Sequence, residues 1–268
     1  MTTPTNEFAV VTGASSGIGF ELARQFAEHG YDLLIAAEDD AIEQAAAGLR
    51  RDGRNKVIAV RVDLATYEGV EKLYAAILET GRDVDALALN AGRGIGGGFV
   101  DGTELADELN VIAVNVTSTV HLAKRVIPGM VHRDAGRVLF TSSIASTMPG
   151  TYQAVYNASK SFVQSFTEAL RAELNDSNVS ITSLMPGPTD TNFFHRAEMD
   201  DTRVGAGKKD DPAQVAKQGF EALMKDREKV VAGSARTKAQ DAMSKVLPDR
   251  AKAEMHRKMA EPGSASSD

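Results

Sequence analysis

The amino-acid sequence predicts an α/β fold with a doubly wound, mainly parallel sheet of seven strands between two helical layers. Three observations carry that expectation. Short apolar runs alternate with segments of helical periodicity from residue 8 to about residue 190. The runs show little internal alternation, as strands buried on both faces of a parallel sheet should. The first run leads directly into a glycine-rich turn and then a helical pattern, the order of a ligand-binding βα unit. Repeated along a chain, such units build a three-layer αβα domain with right-handed crossovers.

Phe8–Val11 reads as the first strand, and Thr12–Gly19 as the turn that follows it. Ile18, Leu22 and Phe26 then share one helix face, and Gly30 supplies a C-terminal stop. Leu33–Ala37, Val57–Val62 and Ala86–Leu89 are the next three strands, and Val138–Phe140 is the fifth. A long helix opens at Tyr156, with Phe162, Phe166, Leu170 and Leu174 on a stripe that could pack on the sheet. Ile181–Met185 is the sixth strand, and Val230–Ala232 could add a seventh at one edge. Two segments break the rhythm. Asn192–Asp211 is polar, irregular and longer than a usual connection, so it reads as a substrate lid. Phe193, Phe194 and Met199 within it suit an apolar lid or packing on the core equally. Residues 233–268 read as a C-terminal helical extension, with the last seven expected to be disordered. No Pro/Gly/Ser linker and no internal repeat divides the chain, so residues 1–268 are expected to form a single domain.

Composition narrows the function classes. The 268 residues are 43% hydrophobic and 25% charged, enough for a sizeable core. Cysteine is absent, which excludes disulfides, thiolate catalysis and cysteine-based zinc sites. His29, His121, His132, His195 and His256 are scattered, so no metal site is expected. A net charge of −7 offers no footprint for nucleic acid or an anionic membrane. Met1–Asn6 has no secretory pattern and no apolar run is long enough to span a bilayer, so the expected location is cytoplasmic.

The glycine turn runs Thr12-Gly13-Ala14-Ser15-Ser16-Gly17-Ile18-Gly19, spaced GxxxGxG. Glycines there let the backbone approach a pyrophosphate, whose charge would sit at the N-terminus of the following helix. A glycine cluster alone is as often only a tight turn; the strand before it and the helix after it favour a dinucleotide. Glu38 ends the second strand, followed by Asp39 and Asp40. An acidic group there accepts from a ribose 2′-hydroxyl and repels a 2′-phosphate, and neither this segment nor the glycine turn carries Arg or Lys. NAD is therefore favoured over NADP, although Glu38–Asp40 could instead cap the next helix.

Tyr156 and Lys160 are four residues apart and project from one helix face. An ammonium beside a phenol favours the phenolate, lowering the tyrosine pKa toward that of a working acid or base. Alone, such a pair is common by chance. Other motifs surround it: Thr12–Gly19, Asp63 after the third strand, Asn90-Ala91-Gly92 after the fourth, Asn115, Ser142-Ser143 after the fifth, and Pro186-Gly187 after the sixth. Together, over Phe8–Thr191, they resemble the short-chain dehydrogenase/reductase family in its compact single-domain branch.

That resemblance implies a Rossmann-type fold and assigns roles. Tyr156 would exchange the proton with the substrate oxygen, and Ser143, thirteen residues earlier, would hydrogen-bond that oxygen. Its neighbour Ser142 is expected to point elsewhere. Lys160 would hold the nicotinamide ribose hydroxyls and depress the tyrosine pKa. Asn115 would hold a water in a relay to Lys160, beside or instead of a mid-helix bond to backbone. Gly13, Ser15, Ser16, Gly17, Ile18 and Gly19 would cradle the dinucleotide, with Glu38 at its ribose and Asp63 and Leu64 at its adenine. Asn90, Ala91 and Gly92 would pass behind the ribose; the family commonly has a second Asn where this chain has Leu89. Pro186, Gly187, Thr189 and Thr191 would flank the nicotinamide, the threonines serving equally as turn and helix caps.

The reaction so implied is hydride transfer between a nicotinamide, NAD or NADP, and a carbonyl or alcohol, in either direction. A non-catalytic dinucleotide sensor on the same fold is the rival; it predicts loss of Ser143, Tyr156 or Lys160, and all three are present. The substrate pocket is expected beside Ala145, Gln153 and Asn192–Asp211, with Gly94, Gly96, Gly97 and Gly98 as a mobile rim. The expected partners are a small-molecule substrate and, through the helix after Asn115 and the face of the Tyr156 helix opposite the Phe162–Leu174 stripe, a homodimer or homotetramer.

Overall fold

A computed structural model describes residues 6–50, 55–244 and 246–266. Seven parallel strands form one sheet: β1 (Phe8–Thr12), β2 (Asp32–Ala37), β3 (Val57–Arg61), β4 (Ala86–Leu89), β5 (Gly136–Thr141), β6 (Val179–Pro186) and β7 (Lys229–Ala232). Their order is β3-β2-β1-β4-β5-β6-β7, so all seven expected strands are present and the seventh lies at an edge. The pairing is parallel throughout. Val11 of β1 sits opposite Ile35 of β2 on one side and Ala88 of β4 on the other. Strand order reverses at β1, and the loops leaving β1 and β4 part to open a crevice at the carboxyl ends of the strands.

The helices are α1 (Gly17–Glu28), α2 (Ala41–Leu49), α3 (Tyr67–Glu79), α4 (Leu105–Ile112), α5 (Ser118–His132), α6 (Ala154–Glu173), α7 (Phe193–Arg196), α8 (Arg203–Ala206), α9 (Pro212–Met224), α10 (Ala235–Ser244) and α11 (Asp249–Ala260). Successive strand residues point to opposite faces. Ala9 and Val11 enter the core beneath α1, α2 and α9, whereas Phe8 and Val10 enter the core beneath α3, α5 and α6. Helix α1 ends as its sequence dictates: Leu22 and Phe26 are fully buried and Gly30 turns the chain at φ +86°. Among the described residues, no helix is long and apolar enough to cross a membrane.

Three expectations need correction. Phe166 and Leu170 of α6, and Leu174 just past its end, pack against the sheet, but Phe162 stands 44% exposed, stacked on Phe166. Asn192–Asp211 is not irregular. It holds the short helices α7 and α8, and a bridge between Thr189 and Asp210 closes its base. Of the last seven residues, 262–266 are ordered: Gly263 N donates to Asp201, Ala265 N to the Asp201 carbonyl, and Arg203 N to Ser264 Oγ. Residues 267 and 268 lie outside the described residues.

Candidate functional site

A cleft of about 450 Å³ opens at the carboxyl ends of the strands, the size of a small-molecule site. Every residue singled out above for the dinucleotide lines it, as do Ser143, Tyr156 and Lys160. Asn115 sits one layer behind.

One end is built by the turn after β1. Gly13 has φ +65°, and a Cβ there would stand 2.8 Å from the Ala91 Cα. A Cβ on Gly19 would stand 2.0 Å from the Gly13 carbonyl oxygen, so only glycine lets α1 start this close to the turn. The turn is clamped from β4. Thr12 Oγ1 accepts from the amides of Asn90 and Ala91 at 3.0 Å each, while Asn90 Nδ2 donates to the Thr12 carbonyl at 3.1 Å. Asn90 Oδ1 in turn accepts from Thr141 Oγ1. Ser16 precedes α1 in extended conformation with no side-chain cap bond, so the first-turn amides face the cleft and favour an anion.

At the rim beyond β2, the capping alternative holds for one residue of the three. Asp39 Oδ1 accepts from Ala41 N and its Oδ2 from Ser15 Oγ, whereas Glu38 is exposed at the cleft. A basic residue is present there after all. The β2–β3 register sets Arg61 opposite Ala37, where it pairs with Asp40 and donates through Nε to the Glu38 carbonyl. Asp63 Oδ1 accepts from Ala65 N, and Leu64 beside it is buried.

The other end is built by β5 and α6. Ser143 Oγ accepts from Ala145 N at 3.1 Å as β5 gives way to a 3₁₀ turn, Ile144–Thr147, donates to the Pro186 carbonyl at 3.4 Å, and lies near enough to the Tyr156 phenol to pull its pKa down. Ser142 does point elsewhere, donating to the Lys160 carbonyl at 3.0 Å. Tyr156 is buried with its ring 5.3 Å from that of Phe193. Lys160 Nζ is buried 6.0 Å from the Tyr156 ring centre and donates to the Thr141 carbonyl at 3.0 Å. Here the expected pKa logic reverses. Burial pushes the Tyr156 phenol up to about 12, against the pull of the Ser143 hydrogen bond. Burial also pushes the Lys160 ammonium down to about 8. Desolvation disfavours both charged forms.

Asn115 lies in a π-helical turn, Ala113–Thr117, between α4 and α5. The wider turn carries its amide to the loop after β4. Its Oδ1 accepts from Arg93 N at 2.8 Å; its Nδ2 donates to the Arg93 carbonyl and to Ser159 Oγ, both at 2.9 Å. It therefore bonds backbone, but that of a distant loop rather than its own helix. Thr189 and Thr191 serve the turn and cap alternative while still lining the cleft. Thr189 Oγ1 donates to the Gly187 carbonyl and Thr191 Oγ1 accepts from Phe193 N.

The loop after Gly92 is no mobile rim. A Cβ on Gly94 would stand 2.5 Å from the Phe193 ring, and one on Gly96 would stand 2.4 Å from Met199. Gly96 N and Gly97 N donate to the carbonyls of Ala197 and Tyr152, both at 2.9 Å. Phe194 and Met199 are buried in a satellite cluster with Ala260 of α11. Sequence reasoning missed several lining residues: Arg93, held by Asp107 and Asn110; exposed Arg196; and Gln240, His256 and Met259 from the tail. No sequence spacing links residues 240–260 to 143–160. Arg61 was findable from strand pairing, had the register been known.

Comparison with known proteins follows the same lines. A family model described as short chain dehydrogenase matches residues 7–202. The mouse protein dehydrogenase/reductase SDR family member 7B is 31% identical over 236 residues, covering 84% of this chain and 73% of that one. A short chain dehydrogenase/reductase from Burkholderia phymatum, solved in complex with NAD, superposes with TM-score 0.80 at 28% identity, covering 98% of this chain and 99% of that one. A short-chain dehydrogenase from Sphingobium yanoikuyae, solved in complex with NADPH, gives 0.78 at 27% identity, covering 89% and 93%.

Proposed function

The chain belongs to the short-chain dehydrogenase family of oxidoreductases, and from that premise we propose that it interconverts a ketone or aldehyde with an alcohol, using NAD in preference to NADP. One observation carries the reading: a single cleft has a glycine cradle at one end and Ser143, Tyr156 and Lys160 converging at the other. The residues fit a dinucleotide. Close approach at Gly13 and Gly19 leaves backbone where a pyrophosphate needs it, and α1 turns its positive end toward that place. Glu38 stands ready for a ribose hydroxyl, and the basic side chain found at this rim, Arg61, is paired with Asp40. When bound, the nicotinamide supplies or takes the hydride.

The chain's own residues handle the oxygen. Tyr156 carries its proton at neutral pH, and burial raises its pKa further, so its Oη is a proton donor toward a carbonyl oxygen. Ser143 Oγ, fixed by Ala145 N, holds the same oxygen from the side. Lys160 has donors left beyond the Thr141 carbonyl for ribose hydroxyls, and its charge draws against the effect of burial on Tyr156. Asn115 holds the loop after β4 in place behind Lys160; through that loop it acts as a positioning residue. We assign residues 192–211 and α11 to the wall of the substrate end, and the exposed stripe Leu105, Leu109 and Ile112 on α4 to a contact between copies.

The test is a fluorescence titration with NADH and NADPH, followed by a panel of carbonyls and alcohols read by nicotinamide absorbance. The expected result is turnover, with NADH bound about tenfold or more tighter than NADPH, as like-charge repulsion of a 2′-phosphate dictates. Tight dinucleotide binding with no turnover on any member would favour the sensor reading.

A further inference from the structure

The tail brings into the cleft a side chain whose chemistry bears on the substrate. His256 of α11 is 6% exposed and lines the cleft. Its Nδ1 lies 2.9 Å from the Thr151 carbonyl oxygen. A carbonyl only accepts, so Nδ1 carries the hydrogen, and in the neutral ring Nε2 is then an acceptor. Burial lowers the pKa of this imidazole, against the smaller pull of the Thr151 bond, so the neutral ring prevails at pH 7. Gln153, two residues beyond Thr151, also lines the cleft; its Nε2 is buried and has no hydrogen-bond partner among the described residues. Apolar Met148, Phe193, Val204 and Met259 line the same cleft, together with the exposed Arg196.

A buried donor without a partner stays costly until a ligand satisfies it, and the Nε2 lone pair of His256 is open to a ligand in the same cleft. A hydroxyl satisfies both, accepting from the Gln153 amide and donating to His256 Nε2. A carboxylate would meet the lone pair of the imidazole, and an ammonium would leave the amide without an acceptor. We propose that His256 and Gln153 form a hydroxyl subsite, so that the preferred substrate is a largely apolar ketone or alcohol bearing a second hydroxyl away from the reacting carbon. The proposal rests on the carbonyl–alcohol reading above.

The probe pair is 2-tetralone and 6-hydroxy-2-tetralone, whose phenolic hydroxyl can donate and accept but cannot be dehydrogenated. Calorimetry on protein saturated with NAD⁺ measures binding of each ketone without turnover, so it stays informative even if no carbonyl is reduced. The expected result is about tenfold tighter binding of the hydroxylated ketone, the worth of one good hydrogen bond. His256→Asn keeps a donor for the Thr151 carbonyl but has no atom at the Nε2 position, and should bring the ratio close to one. His256→Gln reaches the Nε2 position and should keep most of the preference. A ratio of one in the unmodified protein, or an unchanged ratio in His256→Asn, would overturn the subsite. A preference that survives while neither ketone is reduced with NADH would uphold the subsite and overturn only the carbonyl-reduction reading.

Discussion

Burial pulls the two titratable groups on the first turns of α6 in opposite directions on the pH scale, and each has a consequence for stability. Lys160 ionises near 8 in the folded chain against an ordinary value of 10.5. Between those values the unfolded chain binds the extra proton, so stability rises with pH from about 8 to 10.5 and is lost again as pH falls. Tyr156 ionises near 12 instead of 10, so its contribution is whole below pH 10 and is lost as pH rises through 12. Lys160→Met should abolish the rise between pH 8 and 10.5, a change of at most about 3 kcal/mol, measured by urea unfolding at stepped pH. An unchanged slope would mean that Lys160 is not desolvated as its surroundings indicate. Four-residue spacing in the sequence put Tyr156 and Lys160 on one face. It could not reveal how deeply both would be buried, a property of the whole surrounding shell.

Elements were legible where local chemistry fixes them and obscure where it does not. The seven strands could be read because each is apolar enough to be recognised without its neighbours, and α1 because Gly17 to Gly30 spells its start and stop. Asn192–Asp211 escaped because α7 and α8 are one turn each, too short for periodicity, and are held by contacts with Gly94, Gly96 and Ala260. The glycines at 94 and 96 were read as freedom when they are close approach, and only a partner in space tells the two apart. The turn after β1 depends on the same distinction. Gly19→Ala forces a Cβ against the Gly13 carbonyl at 2.0 Å. We expect a loss of about 2–4 kcal/mol in denaturant unfolding together with loss of dinucleotide binding by fluorescence. A variant that is stable and binds normally would show that the turn is not built as described.

On the scale of the whole molecule, the sheet order that opens the crevice was implied by the alternation of elements, whereas the path of residues 233–266 was not. Helices α10 and α11 carry few apolar residues, yet Ala260 and His256 are buried against α7 and the loop before α6. Long-range docking of a polar segment leaves no local signature. Oligomer formation belongs to this scale too. Leu105, Leu109 and Ile112 are 71%, 54% and 40% exposed along α4, just before Asn115, an apolar face that a second copy could cover. Light scattering should report a dimer or tetramer, and Leu109→Glu should reduce the assembled mass; an unmodified chain that runs as a monomer would refute the contact. The reaction itself is tested most directly by single-turnover oxidation of bound NADH by a reducible ketone, comparing the unmodified chain with Tyr156→Phe. The expected result is retained dinucleotide binding with hydride transfer lowered by about 10²-fold or more, since the proton donor to the carbonyl oxygen is gone. Hydride transfer at an undiminished rate in Tyr156→Phe would contradict it.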